Sequence, residues 1–189
     1  MCHLKYFNII MKIILFIIIL VIILLYNHKR YYTFLPTIPF YPNNIKESLR
    51  VLHISNYRNR QDEHFFKLTD PSVVFVFKPH VQETHNELTK ITLSINKIIF
   101  FFKYLFNRAR PEQINKDINL LDSKTAATPA FPAGHAMQAY YLAKILSKRY
   151  PHKKNIFNKL AKECDDTRVK AGIHYPSDGK FSKFLVKFL

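Results

Sequence analysis

The chain has no tryptophan, three glycines and two cysteines in 189 residues. So little glycine excludes collagen-like repeats and glycine-rich phosphate-binding loops. Cys2 and Cys164 cannot make a disulfide framework, and no zinc-ligand spacing surrounds them. Acidic residues are scarce as well, with 13 Asp+Glu against 29 Lys+Arg and a formal net charge of +16. No stretch alternates apolar and polar residues for long enough to suggest a strand, and no segment repeats. What remains is 48% hydrophobic, which is too apolar for disorder and sufficient for the core of one domain.

All the acids lie after residue 30, where only Lys5, Lys12, Lys29 and Arg30 precede them, so residues 31–189 carry 25 − 13 = +12. Such an excess suits an anionic membrane surface, a nucleic acid or a phosphorylated substrate. The cations are dispersed and no nucleic-acid-binding motif accompanies them, so no nucleic-acid partner is expected.

Residues 9–26 are apolar throughout except for Lys12. As a helix these residues span about 27 Å, close to the thickness of a hydrocarbon core. A cleavable leader is the rival reading. The run exits through Tyr26-Asn27-His28-Lys29-Arg30, without a small-residue cleavage site, so residues 1–30 are expected to be an uncleaved single-pass anchor. Lys5 and Lys12 balance Lys29 and Arg30, so flanking charge does not choose an orientation.

Residues 31–69 are rich in Pro, Tyr, Asn and charge and read as a linker with irregular structure or short helices. Asp70-Pro71 has the form of an N-cap followed by proline at the first helical position. Thr84 and Glu87 form a capping-box pattern. Leu88, Ile91, Ile95, Ile98, Phe102 and Leu105 then recur at helical spacing up to Pro111. Further helices are expected over about 134–149 and 155–171, the latter closed by Gly172, with Ser177 capping a short last one. Residues 70–189 are therefore expected to form an all-α bundle.

Three short segments carry chemistry. In Lys103-Tyr-Leu-Phe-Asn-Arg-Ala-Arg110-Pro111 the two cations, seven residues apart, fall two helical turns apart on one face. There Arg110 can grip an oxyanion with its planar fork, or simply belong to a solvated basic helix end. Pro132-Ala133-Gly134-His135 precedes a helix whose unpaired N–H groups favour an anion, with His135 placed to give a proton. It also reads as an ordinary turn with a surface histidine. Thr167-Arg168 through His174 to Asp178 sets an acid four residues from a histidine. An Asp that accepts from one imidazole nitrogen frees the other as nucleophile or base, although a plain first-turn acid has the same spacing.

Together, three cations, two histidines, one acid and a helix start supply the parts of a phosphoryl-transfer site. Lys103-x6-Arg110-Pro111, Pro132-Ala133-Gly134-His135 and Thr167-Arg168-x5-His174-x3-Asp178 resemble the signatures of the phosphatidic acid phosphatase type 2 (PAP2) superfamily. That superfamily also holds class A acid phosphatases and vanadium haloperoxidases. Compactness and the single anchor are most similar to its small members from large DNA viruses.

The resemblance implies a PAP2/haloperoxidase-like helical bundle after one N-terminal transmembrane helix. It implies that Lys103, Arg110 and Arg168 bind the phosphoryl oxygens, with the amides at Gly134 and Ala133. His174 would attack phosphorus and become a phosphohistidine, Asp178 would orient it, and His135 would protonate the leaving alcohol. No metal or other cofactor is implied; vanadate would act as an inhibitor mimicking the transition state. The substrate would be a phosphorylated lipid or a small phosphomonoester at a membrane. The same site could instead serve a vanadium-dependent haloperoxidase, or a catalytically weak or inactive protein that binds phosphorylated lipid.

Two features depart from the pattern. Ala133 stands where the superfamily has Ser, and a lost hydroxyl donor costs about 1–3 kcal/mol, or roughly ten- to a hundredfold. Thr167 for Ser keeps its hydroxyl. Only 11 residues (189 − 178) follow Asp178, so the last helix is expected to be short.

Overall fold

The computed structural model describes residues 11–21 and 41–189. It is helical throughout, with no strand among the described residues. Residues 11–21 form a helix whose side chains are all exposed. The rest of the expected 9–26 span lies outside the described residues. Among the described residues no helix is long and apolar enough to cross a membrane.

The body begins with α1 (Asn44–Asn56) and α2 (Arg60–Thr69). Each has a sequence-coded start: the Asn43 side chain accepts from the amides of Ile45 and Lys46, and Asn59 forms a capping box with Asp62. Of the two forms expected for this stretch, short helices are found over residues 44–56 and 60–69. The polar composition reflects two half-exposed helices, and α1 turns Val51, Ser48 and Glu47 inward. Asp70 does not cap a following helix: it ends α2, and α3 (Val74–Phe77) starts after Val73.

Thr84 and Glu87 do form the expected capping box, opening α4 (His85–Leu93). The apolar period then continues, but the helix does not. The Ser94 hydroxyl donates to the carbonyl of Ile91, an alternative to the helical ladder, and α5 (Asn96–Phe106) begins after the break. Asn107 closes α5 in the left-handed conformation at φ 43°. Lys103 and Arg110 are thus not on one helix. Residues 107–110 are non-helical, and Arg110 precedes the short α6 (Pro111–Ile114).

The centre of the bundle is α7 (Gly134–Arg149) packed on α8 (Lys154–Lys170). Ala136, Ala139 and Ala143 keep α7 slim, and Leu142 and Leu146 meet Phe157, Ala161 and the free thiol of Cys164 in the main core. Burying each large apolar side chain there contributes about 1.5–3 kcal/mol. Gly172 ends this pair at φ +80°, where an added Cβ would lie 2.6 Å from Ile118 Cγ2. The last helix, α9 (Pro176–Val186), crosses α7. Its cap is Tyr175, with Pro176 at the first helical position, and Ser177 lies inside the first turn instead of capping it.

Candidate active site

Four segments converge on one small cavity of about 30 Å³: the end of α5, the turn before α6, the start of α7 and the turn before α9. Lys103, Arg110, Gly134, His135 and His174 line it, and the 125–128 loop closes the rim with Thr125 and Thr128. The volume suits one small tetrahedral anion. A wider cleft of about 140 Å³ shares Lys103, Gly134 and His135 with it and runs out between Ile99, Phe100, Asn96 and Gln138.

His174 sits in the wall with both ring nitrogens engaged. Its Nε2 lies 3.3 Å from a guanidinium nitrogen of Arg110, which can only donate. Nε2 therefore carries a lone pair, and the ring proton is on Nδ1, which donates to Asp178 Oδ2 at 3.0 Å. Burial pushes the His174 pKa well below the usual imidazole range, with Arg110 and Lys103 adding to the effect. The ring is neutral, with its basic nitrogen aimed at the cation side of the cavity.

Arg110 is fixed by carbonyls, donating from Nε to Thr128 and from Nη1 to Ile173 at 2.9 and 2.7 Å. Lys103 is buried and donates to the carbonyl of Pro129. Its pKa is pushed well down, first by burial and then by Arg110. Positive charge is thus packed around the cavity in excess, and an anion inside it relieves the strain on every basic group.

His135 donates from Nε2 to the backbone carbonyl of Asp70 at 2.9 Å, leaving Nδ1 to take or give a proton. Its pKa is lowered to about 3, chiefly by burial, then by Arg168.

Two predicted phosphate ligands lie elsewhere. Ala133 is fully buried outside the cavity lining, and its N–H points to the carbonyl of Asp178 at 3.4 Å. That places the amide expected to serve an anion at the α7–α9 contact. The Thr167 hydroxyl likewise bonds back to the Glu163 carbonyl of its own helix. Arg168 stands behind the lining, fully buried, donating to Asp70 Oδ1 at 2.8 Å and Thr69 Oγ1 at 2.9 Å. Its Nε has no hydrogen-bond partner among the described residues, and its charge still depresses both histidines.

Three residues escaped the sequence reading. Asp70 holds Arg168, and accepts from Ser123 and Thr125 of the rim loop at 2.7 and 3.0 Å. Arg108 is fully buried between the rings of Tyr41 and Tyr175 and reaches Asp178 Oδ1 at 2.6 Å. Glu47 completes that pairing from α1 at 2.7 Å. Arg108 was visible as a second arginine beside Arg110; nothing local marks Glu47. Among the described residues no group of three or more His, Cys, Asp or Glu is placed to hold a metal ion.

The described residues form an all-helical bundle in which a histidine–aspartate pair and buried cations meet at helix ends. A sequence model of the PAP2 superfamily matches residues 88–185, and the chain belongs to that superfamily. Two solved structures share the fold. LpxE of Aquifex aeolicus is 22% identical, with a TM-score of 0.57 over 76% of this chain and 91% of its own. The transmembrane PAP2-type phosphatidylglycerolphosphate phosphatase of Bacillus subtilis is 20% identical, with a TM-score of 0.52 over 90% of this chain and 94% of its own. No curated protein sequence matches the chain.

Proposed function

We propose that the chain is a membrane-anchored phosphatase that hydrolyses phosphomonoesters, lipid phosphates foremost, through a phosphohistidine and without a metal. The observation that carries the reading is the His174 ring, clamped between a donor-only Arg110 and the acceptor Asp178 so that Nε2 is the free base. The two solved relatives in fold support the substrate class, one of them being a phosphatase of a lipid phosphate. The cleft beyond the cavity supports it too, since Ile99 and Phe100 give the leaving group an apolar wall.

In this reaction the Nε2 lone pair of His174 attacks phosphorus as the P–O ester bond breaks. The departing oxygen takes a proton from His135. Lys103 and Arg110 hold the phosphoryl oxygens, and Arg168 adds charge from behind. Water then attacks phosphorus, giving a proton to His135 as the P–O bond forms and the P–N bond breaks, which releases orthophosphate and restores the Nε2 lone pair. The exposed apolar helix at residues 11–21 supports the anchor, which keeps the site beside lipid substrate.

The purified chain should hydrolyse an aryl phosphate in the presence of EDTA. Orthovanadate should inhibit it, and His174→Ala should remove turnover. A His174→Ala protein as active as the parent, or halide oxidation appearing with vanadate, would sink the assignment.

A further inference from the structure

Behind His174 and Asp178 lies a second layer of charge that does not touch the cavity. Every nitrogen of Arg108 is committed: Nε donates to Asn44 Oδ1 at 3.0 Å, Nη1 to Asp178 Oδ1 at 2.6 Å and to Ser177 Oγ at 2.7 Å, and Nη2 to Glu47 Oε2 at 2.7 Å. Its guanidinium carbon lies 4.0 Å from the ring centre of Tyr41 and 3.7 Å from that of Tyr175. Four of its five N–H groups are thereby spent on the protein, and Arg108 does not line the cavity. Glu47 also accepts from the backbone N–H and the hydroxyl of Ser177 at 2.8 and 2.6 Å, gripping the first turn of α9.

We propose that Glu47 and Arg108 are positioning residues for the His174–Asp178 pair, which makes α1, upstream of the family-matched region, part of the catalytic apparatus. The proposal rests on the phosphohistidine reading of the site. Arg108 fixes one oxygen of Asp178, so the other faces His174 Nδ1 and the amide of Tyr175 at 3.0 and 2.9 Å. That arrangement locks the imidazole in the Nδ1–H tautomer that leaves Nε2 basic. Charge matters as much as geometry. Two carboxylates around one guanidinium leave a net charge of about −1 behind the ring. This is the counter-charge for an imidazole that becomes cationic as Nε2 bonds to phosphorus, and Asp178 carries it to the Nδ1 side of the ring.

The test uses the full chain in detergent, with three substitutions, an aryl phosphate as substrate, and ¹⁵N-histidine spectra to read the tautomer of His174. Glu47→Gln keeps the shape and removes the charge. It should lower kcat about tenfold while KM stays within about twofold, because the phosphoryl ligands are untouched. Arg108→Met should lower kcat further and let a second His174 tautomer appear, and Arg108→Lys should recover part of both. Should Arg108→Met fail to fold, the isosteric Glu47→Gln still decides. Unchanged kcat in folded Glu47→Gln, or an intact Nδ1–H tautomer in folded Arg108→Met, would overturn the proposal and leave the phosphatase reading standing. A parent chain without turnover, whose fixed tautomer is lost in Arg108→Met, would do the reverse: it sinks the phosphatase reading and supports the positioning role.

Discussion

Single side chains in this site are held away from their ordinary protonation states by each other. Lys103 and the two histidines all have lowered pKa values because burial strips their hydration and neighbouring cations repel a proton. For His135, at about 3, the sign of the linkage is definite: the unliganded ring is neutral, and an anion in the cavity favours its charged form. Sulfate does not itself titrate near neutrality. Its binding just on the acid side of pH 7 should therefore take up protons, as measured by calorimetry in buffers of different ionisation enthalpy. Binding with no proton uptake would show that His135 does not face the anion. The surroundings of Ala133 likewise could not be read from its motif position. Whether an amide meets a ligand or a neighbouring helix depends on where α9 crosses, and here the crossing spends it on Asp178.

At the scale of elements, helix starts were the most legible feature. The Thr84–Glu87 capping box, Gly134 opening α7 and Gly172 closing the α7–α8 pair are local hydrogen-bond or backbone requirements and show in a few residues. Helix continuity was less legible. The apolar period from Leu88 to Leu105 is unbroken in sequence, yet Ser94 diverts a carbonyl and the structure divides there. The split matters, because α5 ends at Phe106 and a non-helical stretch then brings Arg108 and Arg110 both to the start of α9. Gly172→Ala tests the turn that delivers His174. With φ at +80° and Ile118 in the way of a Cβ, it should cost about 1–3 kcal/mol and lower Tm by several degrees in thermal unfolding. An unchanged Tm would mean the turn adapts.

For the whole molecule, the basic excess divides into unlike parts. Lys103, Arg108, Arg110 and Arg168 are buried, while many of the remaining cations are at the surface. If residues 1–30 are the anchor, the full chain should sediment with vesicles of neutral, zwitterionic lipid, and the chain lacking them should not. The shortened chain, still at +12, should bind anionic vesicles only at low salt, because its remaining attraction is screened over about a Debye length. Salt-resistant binding to neutral vesicles by the shortened chain would place the membrane contact in the body instead. Exposed Phe100, Phe101, Phe184 and Phe188 are where such a contact would be sought.

The sequence by itself determined the helical class, the Thr84–Glu87 cap and the order and spacing of Lys103, Arg110, His135, His174 and Asp178. Each of these rests on interactions within a few residues, or on a pattern of side chains whose chemistry is complete when written in a line. Only the tertiary structure decided which residues line the cavity, that Arg168 pairs with Asp70, and that Glu47 lies next to Ser177, 130 residues on in the chain. Those facts follow from helices crossing at particular points. Burial there makes a charge choose its partner, and no local pattern records the choice.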